Sequence, residues 1–432
     1  MKILLIFPGG EEDPIYPEEM LWLCEPLGLE YQAAAAKLDG HRVDILDLRI
    51  HKKGLERRLS ETNPDLVGLT GYTQHTLEVL DLSRRIKSLR PEAKVVVGGH
   101  HATVRPRDFF IPQIDFVVSG EGVETFRSLL RGLEKGGFPQ PVPGLWIRQG
   151  EKFEKGGQEP ILDLEALPCP DREINRQDRA HYRIGGFQPA ALIRMSEGCV
   201  FNCSFCPLWR LMGGRYLVRS IPSIIEELGR IREKAVHIVD NEPWLNPERM
   251  MDLARAIAKA GIEKTYITYC RVDTLIRQKE LLRAWREIGL YSIFLGIEAI
   301  TERELKEYNK KTALFQIEEA LENARELGIL VHSAIILRPD YTLRDFKRIR
   351  RFVQRHGLDH PAFGIITPLP GTDLWQAKEA EIIERLEDGS FNWTAFDCRH
   401  PVTETALPRA EFMAQYERLQ RELSKPLPQA YH

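Results

Sequence analysis

Hydrophobic residues in the first 135 positions fall into short continuous runs, separated by stretches in which they recur at helical spacing. Runs this uninterrupted are typical of strands that are buried on both faces of a parallel sheet, with helices packed above and below it. The pattern therefore predicts an α/β domain of Rossmann or flavodoxin-like type over residues 1–135. Its five predicted strands are KILLIFP, HRVDILDL, DLVGLTGYT, AKVVVGGHH and DFVVSGEG.

Glycine-rich segments end four of these strands, in the order FPGG, TGYTQ, GGHHAT and SGEGVET. Open parallel sheets bind ligands beyond the carboxyl ends of their strands, and glycine lets the backbone approach a ligand closely. A tight turn is the alternative for each segment taken alone. The candidate ligand-binding residues at this edge are Gly71, Tyr72, Thr73, Gly98, Gly99, His100, His101, Gly120, Glu121 and Gly122.

The sequence pattern after residue 135 predicts a linker, a barrel and a cap. Residues 136–188 are rich in Pro and Gly and contain a predicted hairpin, GLWIRQGEKFE, which indicates a linker with some structure. Residues 189–385 contain six strands, each with a loop after it, so we expect a partial (β/α)6 TIM-like barrel with its chemistry at the carboxyl ends of the strands. Residues 386–432 are expected to form a small C-terminal cap. The predicted barrel strands cover 190–195, 236–240, 265–270, 292–297, 331–337 and 362–367.

Composition narrows the possible partners. The chain has 432 residues, of which 43% are hydrophobic and 28% charged, and its net charge of -3 gives no electrostatic footprint for nucleic acid. The first apolar run breaks at Pro-Gly-Gly without a signal-peptide pattern, and no apolar span of ~18 residues follows, so we expect a cytoplasmic protein. Seven cysteines are an odd number and too few for a disulfide scaffold, which favours ligands or free thiols.

Three of the cysteines stand close together in GCVFNCSFC, at Cys199, Cys203 and Cys206. Their C-x3-C-x2-C spacing in a short loop suits an iron–sulfur cluster, whose irons are bound by cysteine thiolates. Because the loop has only three thiolates, one iron would stay open to another ligand. The alternative is a zinc site completed by a distant His or Cys, but the loop follows the first barrel strand, where substrate chemistry is expected.

This motif, together with GGHHAT, SGEGVET, GIEAITERELKEYNKKT and TPLPGTDLW, resembles the cobalamin-dependent (class B type) branch of the radical S-adenosylmethionine superfamily, over about residues 1–400. The resemblance implies a 4Fe-4S cluster on the three cysteines, with S-adenosylmethionine chelating the open iron. It implies that an external flavodoxin or ferredoxin-type donor reduces the cluster, which then cleaves S-adenosylmethionine to a 5'-deoxyadenosyl radical. It further implies that the N-terminal domain binds cobalamin.

The resemblance gives cofactor roles to residues after the second and third barrel strands. Asp240 and Glu242 stand where many relatives have a Gly-Gly-Glu stretch, and they are expected to accept hydrogen bonds from the methionyl ammonium group. Arg271 is expected to pair with the methionyl carboxylate, since a guanidinium forks onto a carboxylate. The alternative for Arg271 is a surface ion pair with Asp273.

Three further residues complete the set that the resemblance implies. Gly296 ends the fourth barrel strand and is expected to admit the adenosyl group, while Glu298 is expected to accept from its hydroxyls. A structural ion pair with Lys310 is the alternative for Glu298. Phe205, the aromatic residue before the last cysteine, is included among the cofactor-binding residues.

The cobalamin half departs from one known pattern. The loop FPGGEEDPIYP lacks the histidine of the D-x-H-x-x-G motif through which some cobalamin proteins bind cobalt. His51 follows the second strand instead, and Arg49 stands where the Asp belongs, so we treat that match as coincidence. Tyr72 is therefore the residue expected at the lower face of the corrin, with ordinary packing as its alternative. His100 and His101 are expected to contact the corrin or its tail.

A cobalamin domain before a radical-generating barrel implies methylation of an unactivated carbon, so the expected activity is that of a C-methyltransferase. The alternative is a cyclase or oxidoreductase that uses both cofactors on a tetrapyrrole or lipid without methyl transfer. A methylthiotransferase is disfavoured, because that family needs three cysteines in a domain where this chain has only Cys24. The compact chain resembles the archaeal enzymes that methylate a glutamine of methyl-coenzyme M reductase, so a protein or peptide residue is the first substrate expected.

Overall fold

The computed structural model describes residues 1–9, 22–138, 141–159, 163–358 and 360–424, which fall into two compact units. No helix among these residues is long and apolar enough to cross a membrane. The first unit contains the start of the chain, Pro26–Asp178 and Arg385–Asp397, and the second contains the stretch that ends at Glu25, Arg179–Glu384 and the chain from Cys398.

The first unit alternates strands and helices as the hydrophobic runs predict, and all five expected strands are present. Its elements are β1 (Lys2–Phe7), α1 (Leu27–Leu38), β2 (Arg42–Asp47), α2 (Leu55–Thr62), β3 (Leu66–Thr70), α3 (Thr76–Leu89), β4 (Lys94–Gly98), α4 (His100–Val104), β5 (Phe116–Val118), α5 (Gly122–Glu134), β6 (Leu145–Gln149) and β7 (Lys152–Lys155).

These strands form one sheet in the order β2-β1-β3-β4-β5-β6-β7. The first five strands pair in parallel, whereas β6 pairs antiparallel with β5 and β7. β6 and β7 form the hairpin that the sequence predicts within residues 136–188, which confirms the hairpin, but they belong to the first unit rather than to a linker. Leu145 pairs with Val118 and is fully buried, so the hairpin extends the sheet of the first unit.

Both faces of this sheet are buried, which explains why its strands are continuously apolar. Along β1, Leu4 and Ile6 belong to a core cluster that includes residues of α2 and α3. Ile3 and Leu5 point to the opposite face, where they join residues of α1 and α5. Successive side chains of a strand alternate between faces, so burial on both sides requires apolar residues at every position.

The second unit resumes the alternation after a short antiparallel pair. Its elements are β8 (Ala190–Ile193), β9 (Ser196–Gly198), α6 (Leu208–Met212), β10 (Tyr216–Val218), α7 (Ile221–Arg230), β11 (Ala235–Ile238), α8 (Pro247–Lys259), β12 (Thr265–Cys270), α9 (Val272–Arg277), α10 (Lys279–Glu287), β13 (Leu290–Glu298), α11 (Glu302–Glu307), α12 (Leu314–Glu326), β14 (Leu330–Leu337), α13 (Leu343–His356), β15 (His360–Ile365), α14 (Asp373–Lys378) and α15 (Arg409–Leu423).

Six of these strands form a parallel sheet in the order β15-β14-β13-β12-β11-β8, which confirms the partial barrel. Each strand neighbours the next one in sequence, so all six carboxyl ends lie at the same edge of the sheet. The helices bury the outer face in one large core that includes Ile293 on β13 and Trp285 on α10.

The C-terminal region is not the single cap that the sequence indicates. Arg385–Asp397 belongs to the first unit, whereas the chain from Cys398 belongs to the second. There Gln420 of α15 donates through Nε2 to the Phe363 carbonyl of β15, at 2.9 Å. The expected cap continues to residue 432, beyond the described residues.

Candidate cofactor sites

The cysteine loop begins where β9 ends. β9 pairs antiparallel with β10, and its last residue, Gly198, has a φ of 96°. The Gly198 N–H donates to Oδ1 of Asn241, which follows β11, at 3.2 Å. Cys199 comes directly after this point, so the backbone that enters the loop is held both by β10 and by the loop after β11.

The thiols of Cys199, Cys203 and Cys206 are partly buried, and none forms a disulfide. Burial is the main cause that raises the pKa of the Cys206 thiol to about 12, and the charges of the other two loop cysteines contribute to this rise. Burial is also the main cause of the raised pKa of Cys199. Thiolates at these positions therefore need a positive partner, which iron supplies when it replaces the protons.

The three sulfurs fit a 4Fe-4S cluster better than a single zinc ion. Each cysteine of such a cluster binds a different iron, so the sulfurs need not surround one point. In the described part of the chain, no three His, Cys, Asp or Glu side chains are arranged so that they could hold one metal ion. A structural zinc site needs four ligands around a single ion, and the loop itself supplies three cysteines.

Residues that follow α11 hold the cysteine loop in place. The Ser204 N–H donates to the Tyr308 carbonyl at 3.0 Å. Nδ2 of Asn309 donates to Oδ1 of Asn202 at 2.7 Å. Phe205 packs edge-to-face on Tyr308, with ring centroids 5.6 Å apart. The structure thus gives Phe205 a packing role, and its contact with a cofactor stays a prediction.

Asp240 is held by protein donors on both oxygens. Its Oδ1 accepts from the Met195 N–H at 2.7 Å, and its Oδ2 accepts from the Ser196 hydroxyl at 2.5 Å. The residue is 1% exposed, and burial raises the pKa of its carboxyl to about 6. These contacts tie the end of β11 to the start of β9. We therefore correct its expected role: Asp240 positions the strand that leads into the cysteine loop.

Glu242 lies in the same region with fewer protein donors. It is 2% exposed, and its Oε1 accepts from the Thr274 hydroxyl at 3.2 Å. Burial raises the pKa of its carboxyl to about 8, while the charge of Arg271 opposes that rise. A cation bound beside Glu242 would favour its ionised form, as the expected ammonium contact requires.

Arg271 connects three parts of the site. Its Nε donates to Oδ1 of Asp273 at 2.8 Å, and its Nη2 donates to the Lys310 carbonyl at 3.1 Å. Its guanidinium lies 3.5 Å from the ring centroid of Phe201 in the cysteine loop. The pair with Asp273 is present, with Arg271 buried at 7% exposure and Asp273 partly buried, so it is not a surface pair.

Gly296, Glu298 and Lys310 form a compact group at the end of β13. Lys310 Nζ donates to Oε1 of Glu298 at 2.8 Å, so the ion pair given as the alternative for Glu298 is present. A Cβ at Gly296 would lie 2.5 Å from that Oε1 and 2.7 Å from Lys310 Nζ, so glycine makes room for the pair. Glu298 has a φ of 68°, a conformation that costs a non-glycine residue about 1–3 kcal/mol.

Replacing Gly198 with alanine should weaken both the fold and cluster loading. A Cβ there would lie 2.1 Å from the Arg215 carbonyl oxygen, and alanine rarely adopts a φ of 96°. We expect the free energy of unfolding to fall by about 1–3 kcal/mol, with less iron bound per chain after reconstitution. Gly229→Ala on α7 is the control, because a Cβ there meets nothing within 4 Å. Equal iron content and stability in Gly198→Ala and the unsubstituted protein would contradict this account of the loop.

An exposed ledge runs along the carboxyl ends of β3, β4 and β5 in the first unit. Tyr72 is 53% exposed, and its ring meets that of His100 edge-to-face at 5.3 Å. Gly99 has a φ of 103°, and a Cβ there would lie 2.8 Å from the Gly71 carbonyl oxygen. His100, Gly99 and Gly120 are also exposed. Accessible backbone and aromatic rings along three neighbouring strands fit a flat macrocycle such as a corrin.

His101 lies beneath this ledge rather than on it. It is 1% exposed, its Nδ1 is 3.2 Å from Thr73 Oγ1, and its Nε2 is 3.0 Å from Asp108 Oδ2. Its ring also packs against Trp393 at 4.7 Å. The prediction that His101 contacts a ligand is therefore wrong, because protein groups take both ring nitrogens. Thr73 likewise uses its hydroxyl to support the ledge.

The identities of several residues at this edge are explained by contacts within the protein. Glu121 accepts through Oε2 from the Val123 and Glu124 N–H groups, so it caps α5, and its contact with a ligand stays a prediction. A Cβ at Gly120 would lie 2.6 Å from Glu159 Cγ, and one at Gly122 would lie 2.8 Å from Gln32 Nε2. At Gly71 it would lie 2.9 Å from His75 Cβ, whereas at Gly98 it would meet only ordinary contacts.

Sequence reasoning missed the aromatic segment that supports the ledge. Trp393 packs against Phe391 and Phe396, each at 4.8 Å, as well as against His101. The guanidinium of Arg105 lies 5.3 Å from its indole ring. The aromatic density of FNWTAF was the available signal, but it does not show which unit the segment joins. Ser196 and Asn241 were also missed, because nothing in the sequence marks their contacts.

Comparison with known families matches both halves of the chain. The family model for the B12 binding domain matches residues 22–130, and the model for the Radical SAM superfamily matches residues 193–353. The first covers the ledge, and the second covers the cysteine loop and the residues at the ends of β11 to β13.

Curated relatives align over nearly the whole chain. The hopanoid C-3 methylase of Methylococcus capsulatus is 33% identical over 98% of this chain and 80% of its own. An uncharacterized methyltransferase of Pyrococcus horikoshii is 28% identical over 93% of this chain and 87% of its own. An anaerobic magnesium-protoporphyrin IX monomethyl ester cyclase of Cereibacter sphaeroides is 27% identical over 96% of this chain and 68% of its own.

Solved structures share the architecture. TsrM from Kitasatospora setae, a radical S-adenosylmethionine methyltransferase solved with cobalamin and a [4Fe-4S] cluster, matches with a TM-score of 0.69 and 19% identity, over 89% of this chain and 79% of its own. OxsB, solved with aqua-cobalamin and S-adenosylmethionine, matches with a TM-score of 0.72 and 16% identity, over 93% of this chain and 64% of its own. At these identities the likeness concerns the fold.

Proposed function

Because the chain belongs to the family of B12-binding radical SAM enzymes, we propose that it transfers a methyl group from S-adenosylmethionine, by way of cobalamin, to an unactivated carbon. The observation that carries this proposal is the 33% identity to a hopanoid C-3 methylase over 98% of this chain, which includes both matched domains. When bound, the 4Fe-4S cluster and S-adenosylmethionine supply a radical that removes hydrogen, and cobalamin carries the methyl group.

In this proposal, residues of the second unit bind the cluster and orient S-adenosylmethionine. The three loop cysteines hold the cluster. Glu242 accepts from the methionyl ammonium, because its buried carboxylate gains most from a nearby cation. Arg271 orients the methionyl carboxylate while it braces Phe201 of the cysteine loop. Glu298 is held by Lys310 and accepts from the adenosyl hydroxyls.

In the first unit, we propose that Tyr72 contacts the lower face of the corrin, supported by His100. Replacing Tyr72 with alanine should then raise the cobalamin dissociation constant by about tenfold, which is about 1.4 kcal/mol. The free energy of unfolding should change by less than about 0.5 kcal/mol, because the side chain is exposed. Equilibrium dialysis with cobalamin measures the first quantity and urea unfolding the second. Unchanged cobalamin affinity would contradict the role of Tyr72.

The substrate is a separate question, for which there are two candidate classes. A glutamine of methyl-coenzyme M reductase, or another peptide residue, stays a prediction that rests on the sequence resemblance. The methylase relative is named for a hopanoid, which instead favours a small apolar molecule. The two classes differ in polarity, so the groups that line the barrel can favour one of them.

A second candidate function has specific support. The cyclase relative aligns over 96% of this chain, and a cyclase in this family would use the same cofactor sites without transferring a methyl group. The two reactions differ in the fate of the methyl group of S-adenosylmethionine. Only methyl transfer removes this group and leaves S-adenosylhomocysteine.

The test is anaerobic reconstitution with iron, sulfide and cobalamin, followed by reduction and addition of substrate candidates. We expect both 5'-deoxyadenosine and S-adenosylhomocysteine to form, and the second to depend on added cobalamin. Formation of 5'-deoxyadenosine with a substrate that is consumed, but without S-adenosylhomocysteine, would support the cyclase. Absence of both products in protein that holds cluster and cobalamin would contradict either function.

A further inference from the structure

The inner face of the barrel sheet is more accessible than a packed barrel interior should be. On β13, the outward residues Ile293, Leu295 and Ile297 are fully buried beneath the helices, whereas Phe294 and Gly296 on the inner face are partly exposed. β14 repeats this alternation. Barrel interiors are normally filled by layers of side chains. The accessible inner face therefore indicates a chamber within the barrel.

The strand registers place two different layers around this chamber. Tyr269, Phe294 and His332 lie side by side on β12, β13 and β14 and form an aromatic layer. The next inner positions toward the carboxyl ends are Gly296, Ala334 and Ala362, which also lie side by side. These small side chains leave space on the carboxyl side of the aromatic layer, where a packed barrel would have large side chains.

Trp22 adds a further aromatic surface to the chamber. Its ring meets those of His237, Phe294 and His332 edge-to-face at 5.2, 6.1 and 6.2 Å. These three residues stand on β11, β13 and β14, so Trp22 spans the inner face of the sheet. His237 also meets Tyr269 edge-to-face at 5.1 Å, which places its imidazole among the same rings.

The polar atoms of this layer lack the partners that buried groups normally have. His237 is 1% exposed, and neither of its ring nitrogens makes a hydrogen bond of normal geometry within the described residues. The Ile267 carbonyl is the polar group that approaches it, and it can accept from only one nitrogen. Nδ1 of His332 is buried without a partner as well. Buried polar atoms are rarely left unsatisfied, so these nitrogens call for a ligand.

Both imidazoles are neutral near pH 7. Burial is the main cause that lowers the pKa of His237 and of His332 to about 4, and the charge of His360 contributes to the shift of His332. A neutral imidazole offers one donor and one acceptor, which suit a hydroxyl, ketone or amide. It does not offset the charge of a carboxylate or phosphate, whose burial here would be costly.

We infer that this chamber binds the substrate, and that the substrate is an uncharged, largely apolar molecule with a hydroxyl or carbonyl group that His237 or His332 hydrogen-bonds. The inference rests on the proposed function, since it names the substrate class for the same barrel. The aromatic layer lies two positions below Gly296 along β13, a rise of about 7 Å. A molecule resting on that layer is therefore next to the residues assigned to S-adenosylmethionine.

The test measures binding in the reconstituted enzyme, separately from turnover. Anaerobic titration calorimetry compares 1-adamantanol, which is apolar and has one hydroxyl, with 1-adamantanecarboxylate, which has the same body and a negative charge. We expect adamantanol to bind at least tenfold more tightly. His237→Phe keeps a ring but removes the hydrogen bond, and it should weaken adamantanol binding by about tenfold. Ala334→Phe fills the chamber and should remove binding, although neither histidine is substituted.

The control is His181→Phe, which makes the same substitution at an exposed residue of the same unit and should leave adamantanol affinity unchanged. Thermal unfolding midpoints show whether each variant is folded, and if His237→Phe is not, Ala334→Phe carries the test. Equal affinities in Ala334→Phe and the unsubstituted enzyme would overturn the inference. So would preferential binding of the carboxylate, or of acetyl-glutamine amide over adamantanol.

The same preparations are assayed for S-adenosylhomocysteine, so the two claims fail separately. The expected binding pattern without S-adenosylhomocysteine from any substrate leaves the chamber in place and overturns methyl transfer. S-adenosylhomocysteine formation that is unaffected by Ala334→Phe keeps methyl transfer and overturns the chamber as the substrate site.

Discussion

Replacing Cys206 with alanine should abolish the broad visible absorbance of the iron–sulfur cluster and reduce 5'-deoxyadenosine formation to the background of the assay. Cys206 supplies one of three thiolates, and its neighbours cannot replace it. Asn202 and Ser204 of the loop are already bonded to Asn309 and Tyr308. With only two protein thiolates left, the loop would hold a cluster too weakly for it to be retained. Iron and sulfide analysis after anaerobic reconstitution measures the first effect, and chromatography of the products measures the second.

Cys169→Ala is the matched control, because it removes a partly buried thiol that lies outside the loop. It should reconstitute with the same iron content as the unsubstituted protein. Cobalamin binding should survive in both variants, since the ledge belongs to the first unit. If Cys206→Ala retained a 4Fe-4S spectrum and activity, the assignment of the cysteine loop would be wrong.

Replacing Arg271 with methionine should produce the second large effect, on stability and on cluster loading together. The guanidinium pairs with Asp273, donates to the Lys310 carbonyl and lies against Phe201 of the cysteine loop. Methionine fills similar volume but leaves Asp273 and the buried Glu242 without the charge beside them. Breaking a buried pair by removing one partner costs about 3–5 kcal/mol, so we expect a loss of that order in urea unfolding.

Arg271→Lys separates charge from shape. Lysine keeps the positive charge near Glu242 but has neither the fork that reaches two acceptors nor the flat surface that stacks on Phe201. We expect it to recover most of the stability while S-adenosylmethionine binding stays weakened. Measured by equilibrium binding to the reconstituted protein, full recovery of affinity in Arg271→Lys would show that charge alone accounts for the role of Arg271.

Much of the architecture could be predicted, because the local pattern of apolar residues matches the burial of each strand and helix. Strands such as β1 and β3 are apolar at every position, which only a sheet covered on both faces explains. The cysteine spacing is equally local: three thiols within eight residues define their chemistry before the fold is known. The six barrel strands follow from the same repeated alternation, and the structure places each within a few residues of its predicted limits.

What could not be predicted depends on contacts between distant parts of the chain. His101 follows a glycine-rich strand end as His100 does, yet it turns inward to Asp108 and Trp393, and the second of these is almost three hundred positions away. The hairpin after residue 144 reads as a linker until Leu145 pairs with Val118. Glu298 could serve a ligand or a lysine, and only the fold brings Lys310 to it.

An isotope label on the methyl group shows directly whether the enzyme transfers it. The reconstituted, reduced enzyme is given S-adenosylmethionine with a fully deuterated methyl group and an uncharged apolar substrate, and the product is analysed by mass spectrometry. We expect a product that carries the intact deuterated methyl group on carbon, with S-adenosylhomocysteine formed in equal amount and only when cobalamin is present. A product that lacks the label, from enzyme that still forms 5'-deoxyadenosine, would contradict methyl transfer.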